Sequence, residues 1–264
     1  MGVVTGAGGQ DAIVAETVVL LHGFAGTRHA WDGVAALLDG ERYRPLALDL
    51  RGHGAARAAR PIGFAEVVAD VLAAAPGRFA LCGYSMGGRI ALHVALAAPS
   101  RISRLVLISS SAGIDGPAER AARRRADERL AGEIERGSIE EFVARWRAQP
   151  LFAEDPEWVR ERAALDQRRN DPAALAAVLR ALGTGRMAPL WERIAALRVP
   201  LAALAGERDA KFVALADRLV ATAPLGRSVT VPGAGHALLV EAPAAVAAVI
   251  GADPCAVSAR GHPA

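Results

Sequence analysis

Six short, almost uninterrupted apolar runs constrain the fold of this chain more than any other feature. Each run ends at a turn that contains glycine or aspartate, and stretches with helical periodicity lie between them. The runs are residues 17–21, 43–49, 79–83, 104–109, 199–205 and 228–231. Apolar strands that alternate with helices are typical of a parallel sheet covered on both faces. The sequence therefore predicts an α/β fold with a mostly parallel central sheet and helices on both faces.

The stretch between the fourth and fifth runs has a different pattern. Residues 116–191 carry no strand signal, and Arg, Glu and Ala recur there with helical spacing. One helix is expected to end at Gly137, and Ser138 with Glu141 three residues later is a capping-box pattern that opens the next helix. An insert of this length with its own helices predicts a cap over the sheet.

This pattern also predicts how the chain is divided. We expect residues 1–115 and 192–252 to form the α/β core and residues 116–191 to form the helical cap. Residues 253–264 have no periodicity, and we expect them to be a flexible C-terminal tail. A length of 264 residues suits one large domain, or a core with one inserted subdomain.

Composition and charge argue against several kinds of partner. The 31 basic residues are spread along the chain, all arginine except Lys211, and no dense basic run lies beside aromatic residues, so we expect no nucleic-acid partner. No run approaches the ~18 apolar residues of a membrane span, so we expect no membrane insertion. Cys82 and Cys255 do not make a disulfide framework, and the first residues lack a signal-peptide pattern. We therefore expect a cytoplasmic protein, and a monomer.

The strongest functional signal in the sequence is a serine between a predicted strand and a predicted helix. Residues 83–87 read Gly-Tyr-Ser-Met-Gly, which matches G-x-S-x-G, directly after an apolar strand and before a helical stretch. A sharp strand-to-helix turn would lift the serine hydroxyl above the edge of the sheet. The pattern predicts Ser85 as a nucleophile, with the amide of Met86 as an oxyanion donor at a helix N-terminus.

A serine of this kind needs a base and an acid from other strand ends. His236 follows the last apolar run on a glycine-rich loop, and we predict that it is the base. Asp209, in the turn after the fifth run, is the predicted acid, and Asp115 after the fourth run is the alternative. In the His-Gly-Phe loop after the first run, the amide of Phe24 is the predicted second oxyanion donor.

These residues resemble a known family. The segments HGF, DLRGHG, GYSMGGR, GERDAKF and GAGH, in this order and spacing, are similar to those of the α/β-hydrolase superfamily over roughly residues 17–245. That resemblance implies an α/β-hydrolase fold with the cap inserted after the superfamily's sixth strand, which is the fourth run in this chain. The GGR after the serine, AQPLF and GTG in the cap, and D-x-KF at the acid resemble the 2-succinyl-6-hydroxy-2,4-cyclohexadiene-1-carboxylate synthases of menaquinone biosynthesis.

The resemblance to these synthases implies a carbon–oxygen lyase without cofactor or metal. The family's reaction eliminates pyruvate from 2-succinyl-5-enolpyruvyl-6-hydroxy-3-cyclohexene-1-carboxylate by base catalysis from the triad. The expected partner is thus a small anionic polycarboxylate. The substrate-binding residues that the resemblance implies are Tyr84, Arg89, Arg123, Trp146 and Lys211. The family usually carries an arginine where this chain has Gln167, and the neighbouring Arg168 is the residue we expect to take that role.

Two other interpretations remain open at this point. A carboxylesterase or a carbon–carbon bond hydrolase would use the same triad, although an esterase of neutral substrates is expected to have an apolar cap. A non-catalytic receptor or scaffold of the same fold is the second alternative, and an intact triad with its oxyanion loop argues against it.

Overall fold

The computed structural model describes residues 15–75 and 77–252, and its centre is a single six-stranded parallel sheet. The strand order is β2-β1-β3-β4-β5-β6. The strands are β1 Glu16–Leu21, β2 Tyr43–Leu48, β3 Phe79–Tyr84, β4 Ile102–Ile108, β5 Leu201–Gly206 and β6 Gly226–Val231. Each of the six apolar runs contains or overlaps one of these strands, so the predicted parallel sheet is confirmed.

The burial of each strand follows its place in the sheet. β5 is buried along its whole length, whereas the edge strands β2 and β6 keep exposed positions. Alternate side chains point to opposite faces, so Val19 and Leu21 belong to one hydrophobic core while Val18 and Leu20 belong to the other. The continuous apolar runs in the sequence are a consequence of this two-sided burial.

The helices cover both faces of the sheet. The α-helices are α1 Asp32–Ala35, α2 Phe64–Ala74, α3 Met86–Ala97, α4 Pro117–Arg136, α5 Ile139–Arg147, α6 Glu157–Gln167, α7 Pro172–Leu182, α8 Trp191–Ile194, α9 Ala210–Thr222, α10 Leu238–Glu241 and α11 Pro243–Gly251. Short 3₁₀ turns span Arg28–Trp31, Gly54–Ala56, Pro99–Arg101 and Pro150–Phe152. Helices α2, α3, α8 and α9 contribute to the core on one face, and α1, α10 and α11 to the core on the other.

Helices α4 to α7 lie between β4 and β5, where the strand pattern of the sequence is interrupted. Helix α4 ends at Arg136, with Gly137 as its C-cap. The capping box of α5 is present, since the Ser138 amide donates to Glu141 at 2.8 Å and the Glu141 amide donates to Ser138 Oγ at 3.2 Å. A third apolar cluster joins cap residues such as Phe142 and Leu175 to Ala25 of the core. The insert is therefore packed onto the end of the sheet where β1 and β3 terminate.

Two further expectations concern the ends and the surface of the chain. The predicted tail, residues 253–264, lies outside the part of the chain that the structure describes. Among the residues it does describe, no helix combines the length and the apolar character needed to cross a bilayer.

Candidate active site

Ser85 lies at the sharp turn between β3 and α3. Its backbone has φ 50° and ψ −109°, in a region that costs energy for any residue with a side chain. Glycines on either side make the turn possible. A Cβ at Gly83 would lie 2.3 Å from the Gly87 carbonyl oxygen, and one at Gly87 would lie 2.2 Å from that of Leu21. The turn presents Ser85 to a large cavity between the core and the cap.

His236 and Asp209 form a buried pair at the same edge of the sheet. His236 Nδ1 lies 2.6 Å from Asp209 Oδ2, and both residues are more than nine-tenths buried. An ionised carboxylate only accepts hydrogen bonds, so Nδ1 carries the proton and Nε2 is left as the basic nitrogen. Asp209 also caps α9, where its side chain accepts from the Phe212 amide.

Ser85 and His236 line the same cavity. Within the described ranges the Ser85 hydroxyl and the imidazole make no direct hydrogen bond, a contact that in such sites often tightens only with substrate. The geometry brings the three predicted residues together, and their catalytic roles remain predictions.

The alternative acid is placed elsewhere. The Asp115 carboxylate is half exposed, pairs with Arg218 Nη2 at 2.7 Å and does not line the cavity. The geometry therefore favours Asp209 as the partner of the histidine.

The two predicted oxyanion donors line the cavity beside the serine. Phe24 follows β1, and Met86 is the first residue of α3. Neither amide donates a hydrogen bond to another residue in the part of the chain described here. Two free amides next to Ser85, one of them at a helix N-terminus, are suited to stabilise a developing negative charge.

Two buried histidines support the loop that carries Phe24. His22 Nε2 accepts from the Leu50 amide at 3.1 Å, and His53 Nε2 accepts from the Ala25 amide at 3.2 Å. Burial lowers the pKa of His22 below 6.5 and that of His53 well below it, so both rings are neutral at pH 7. As neutral acceptors they fix a loop in which Ala25 has a positive φ of 60°.

The cap also contacts the loop that carries Phe24, through hydrogen bonds that the sequence did not predict. Asn170 Nδ2 donates to the Ala25 carbonyl at 2.7 Å, and its Oδ1 accepts from the Gly54 amide at 3.0 Å. Asp166 accepts from the Thr27 amide at 2.8 Å and also from the Thr27 hydroxyl. An asparagine and an aspartate at the end of a helix usually indicate capping, so nothing local distinguished these two.

The cavity, with a volume of about 1120 Å³, contains the cations that the resemblance implies. Arg89 is buried and donates from Nη1 to the Leu182 carbonyl at 2.7 Å, and burial lowers its pKa to about 10. Arg123 is partly exposed and pairs with Asp127 at 2.7 Å. Lys211 is an exposed residue of the lining, two positions after Asp209. The structure brings all three to one cavity.

Aromatic side chains form another part of the lining. Tyr84 packs against His236 with ring centroids 5.5 Å apart, and Trp146 packs against Phe24 at 5.0 Å. Both predicted substrate-binding aromatics therefore line the cavity, and each contacts another predicted site residue.

Arg168 is the exception among the predicted site residues, and its position requires a correction. It is the exposed residue that follows α6, and it does not line the cavity. The buried positions of α6 include Ala164 and Gln167, so the next residue is rotated by about 100° toward solvent. Arg168 therefore cannot take the place of a residue at position 167, because neighbouring residues of a helix point in different directions. Gln167 itself lines the cavity.

The sequence did not predict four further arginines of the lining, which are Arg147, Arg162, Arg169 and Arg208. Arg147 is less exposed than Arg169 or Arg208. It ends α5, its side chain is 11% exposed, and its guanidinium lies 4.2 Å from the centre of the Phe152 ring. Its Nε donates to Gln167 Oε1 at 3.1 Å and its Nη1 to Asp155 Oδ2 at 3.2 Å. The sequence has 30 arginines, and no local signal separates this buried one from those on solvated helix faces.

No group of three or more His, Cys, Asp or Glu side chains is placed to hold a metal ion within residues 15–75 and 77–252. The arrangement instead offers a serine, a histidine with one free basic nitrogen, two free amides and several cations. These parts suit acyl transfer or proton abstraction next to a carbonyl.

Residues 18–249 match the alpha/beta hydrolase family, and the chain belongs to that family. The fold and the comparisons together define an enzyme of the α/β-hydrolase type. Over 237 residues the chain is 35% identical to the 2-succinyl-6-hydroxy-2,4-cyclohexadiene-1-carboxylate synthase of Enterobacter sp. (strain 638), covering 88% of this chain and 89% of the relative.

Solved structures agree with this assignment. The structure of MenH from S. aureus aligns with a TM-score of 0.83 at 30% identity, covering 89% of this chain and 91% of that one. A thermophilic esterase from Thermogutta terrifontis, solved with malate bound, aligns with a TM-score of 0.73 at 29% identity, covering 89% and 88%.

Proposed function

We propose that this enzyme is a carbon–oxygen lyase that eliminates pyruvate from 2-succinyl-5-enolpyruvyl-6-hydroxy-3-cyclohexene-1-carboxylate. The product is 2-succinyl-6-hydroxy-2,4-cyclohexadiene-1-carboxylate. The observation that carries the proposal is the cavity in which Ser85 and His236 share the lining with Arg89, Arg123 and Lys211. The similarity to a synthase of this name at 35% identity supports it independently.

The bonds that change follow from the structures of substrate and product. The ring carbon that bears the succinyl chain loses its proton, and the ring double bond moves one place toward it. A second double bond forms as the carbon–oxygen bond to the enolpyruvyl group breaks. The departing enolate takes up a proton and becomes pyruvate. The reaction needs a base and a site for negative charge, and it needs neither water nor an acyl intermediate.

Each part of this chemistry has a candidate among the residues of the site. His236 Nε2, with its tautomer held by Asp209, is the base, and it acts directly or through the Ser85 hydroxyl. Proton removal next to the succinyl ketone places negative charge on the ketone oxygen. The amides of Phe24 and Met86 are the donors we assign to that oxygen.

The cations explain why this site suits a lyase of polycarboxylates better than an esterase of neutral substrates. The proposed substrate carries three carboxylates, on the ring, the succinyl chain and the enolpyruvyl group. Arginine forks match carboxylate geometry, and a buried cation such as Arg89 is costly to keep without an anionic partner. A neutral ester would leave these groups without a function.

The test is release of pyruvate by the purified protein, measured by coupling to lactate dehydrogenase and NADH. Ser85→Ala is expected to lower kcat by a factor on the order of 10³ or more, because members of a triad act as a unit. Ser100→Ala, at an exposed serine outside the cavity, is the matched control and should keep wild-type turnover. Absence of pyruvate release by the wild-type protein, or near-normal release by Ser85→Ala, would refute the proposal.

A carboxylesterase is the second candidate, favoured by the alignment with an esterase at 29% identity. An esterase would hydrolyse p-nitrophenyl esters through an acyl-enzyme on Ser85. Comparison of kcat/KM for a small neutral ester with kcat/KM for pyruvate elimination decides between the two. Efficient ester hydrolysis without pyruvate release would establish the esterase.

A further inference from the structure

Two side chains on the cap wall of the cavity have no part in the chemistry above. Arg147 is the last residue of α5, and Gln167 is the last residue of α6. Both line the cavity, and Gln167 is only 4% exposed. Polar groups in this position are expected to have hydrogen-bond partners on every side that faces protein.

The hydrogen bond between the two side chains determines how the amide is oriented. Arg147 Nε donates to Gln167 Oε1 at 3.1 Å. A guanidinium has donors only, so the amide oxygen must face it and the amide NH₂ must face another direction. Among the described residues, neither Gln167 Nε2 nor Arg147 Nη2 has an acceptor, and neither is sealed from the cavity. Two neighbouring side chains therefore have spare N–H groups.

The surroundings of the pair select the kind of ligand it fits. Asp155 holds Nη1 of the guanidinium at 3.2 Å and largely balances its charge, while Phe152 covers one face of it. The pair therefore contributes directional donors more than net positive potential. Donors on two adjacent groups match the two oxygens of a carboxylate, and they offer nothing to a cation or to an apolar group.

We propose that Arg147 and Gln167 form a carboxylate-binding pair that determines the specificity of this enzyme for polyanionic substrates. The identity of the substrate rests on the function proposed above. That substrate has three carboxylates, so it needs several donor groups in one cavity. Arg89, Arg123 and Lys211 supply some of them, and Arg162, Arg169 and Arg208 also line the cavity. The pair on the cap adds spare N–H groups on side chains that are largely buried.

The experiment measures binding, with two aromatic ketoacids that lack the enolpyruvyl leaving group. These are 2-(3-carboxypropanoyl)benzoate, with two carboxylates, and 4-oxo-4-phenylbutanoate, with one. Affinities for the full chain are measured by isothermal titration calorimetry. Arg147→Met removes the donors of one partner and should weaken binding of the dicarboxylate about ten- to hundredfold.

Gln167→Glu is the variant that separates ligand binding from a structural role. The glutamate still accepts from Arg147 Nε, as a charged and stronger acceptor, so the contact between the helices and the melting temperature should be retained or improved. It replaces the spare amide donor by a negative charge, so binding of the dicarboxylate should also weaken about tenfold or more. A purely structural pair predicts no loss beyond the long-range repulsion of the new charge, which salt screens, so the titration is repeated at high ionic strength and the loss should persist there.

Arg145→Met is the matched control, because it removes an arginine from the same helix. Arg145 is exposed, pairs with Glu133 and does not line the cavity, so affinity for both acids should equal that of the wild type. The proposal is overturned if Arg147→Met and Gln167→Glu bind both acids within about twofold of the wild type, or if the wild type binds neither.

Pyruvate release by the wild type is measured separately, so that the two proposals fail in different ways. Weakened binding in both variants without pyruvate release would refute the lyase and leave the carboxylate-binding pair standing. Pyruvate release with unchanged binding in both variants would refute the pair and leave the lyase standing.

Discussion

Asp209 has two partners, and they set what its substitution can change. It accepts from His236 at 2.6 Å through one oxygen, and the other oxygen caps α9. Asparagine retains an oxygen that can cap α9. Its NH₂ group, however, cannot hold the imidazole in the tautomer with the proton on Nδ1. The two functions can therefore be separated by a substitution that changes one atom.

We predict that Asp209→Asn lowers kcat by a factor on the order of 10⁴ while the protein stays folded. Asp115→Asn, which removes an exposed ion pair with Arg218, should change kcat by less than about twofold. It should change the free energy of unfolding by less than about 1 kcal/mol. Steady-state kinetics and thermal melts on both variants provide the measurement. A larger loss in Asp115→Asn would mean that the acid comes from the end of β4.

The cations around the serine lead to a second prediction at the scale of single residues. Truncation of Arg89, Arg123 or Lys211 to alanine leaves a substrate carboxylate without a charge-assisted partner, a loss of roughly 1.5–3 kcal/mol. We expect kcat/KM for pyruvate elimination to fall about 10- to 150-fold, at ~1.4 kcal/mol per factor of ten. The loss on a small neutral ester should be clearly smaller.

Kinetics on both substrates check this second prediction for each variant. Arg160→Ala, an exposed arginine of α6 outside the cavity, is the control and should behave as the wild type. Equal losses on the anionic substrate and the neutral ester would show that the three residues support the fold and not the substrate.

At the scale of elements, the cap is joined by hydrogen bonds to the loop that follows β1 and carries Phe24. Asn170, between α6 and α7, bonds to the backbone of Ala25 and of Gly54, and both bonds are buried. The cap is therefore part of what positions the Phe24 amide, and it is more than a cover over the cavity.

We predict that Asn170→Ala lowers the free energy of unfolding by about 1–3 kcal/mol, because it leaves a buried carbonyl and a buried amide unpaired. It should also lower kcat, since the loop that carries an oxyanion donor loses its support. Urea denaturation and pyruvate release provide the measurements. Thr222→Ala, which removes an exposed hydrogen bond to Arg218, should stay within about 0.5 kcal/mol of wild type. Wild-type stability and turnover in Asn170→Ala would show that the loop is held by the core alone.

At the scale of the whole molecule, three histidines with lowered pKa values contribute to the pH dependence of stability. The pKa values of His22 and His53 are lowered by burial, and that of His93 is lowered to about 4, also mainly by burial. In the unfolded chain each group returns to about 6.5, so the unfolded state binds more protons below that pH. Their contribution to stability is complete above pH 6.5 and is lost as the pH falls below it.

We therefore predict that the free energy of unfolding decreases from pH 7 to pH 5, by up to about 1.4 kcal/mol per pH unit for each of His22, His53 and His93. Urea denaturation at a series of pH values measures it. His93→Leu should make the slope shallower, whereas Ser100→Ala, which removes no titratable group from an exposed position, should leave it unchanged. Stability that is constant or rises toward pH 5 would contradict the prediction.

Much of the architecture could be predicted because its causes are local in the sequence. A strand buried on both faces must be apolar throughout, so β3 and β5 were recognisable as runs. The turn at Ser85 requires glycine at fixed spacings, and the opening of α5 requires a serine followed by a glutamate three residues later. His236 and Asp209 each follow a predicted strand, and the carboxyl ends of parallel strands lie at one edge of the sheet. Their positions in the sequence therefore predicted that they would meet at that edge.

The remaining features depend on contacts between residues far apart in the chain, which no local pattern encodes. Asn170 reaches Ala25 across 145 positions, and Arg147 meets Gln167 across 20. Which arginine faces the cavity depends on the rotation of each helix as it packs, and a difference of one position turns Arg168 to solvent. The sequence by itself thus determined the sheet, the serine turn and the positions of the three predicted catalytic residues along the chain. Only the packing of the cap on the core decided which polar side chains surround the serine.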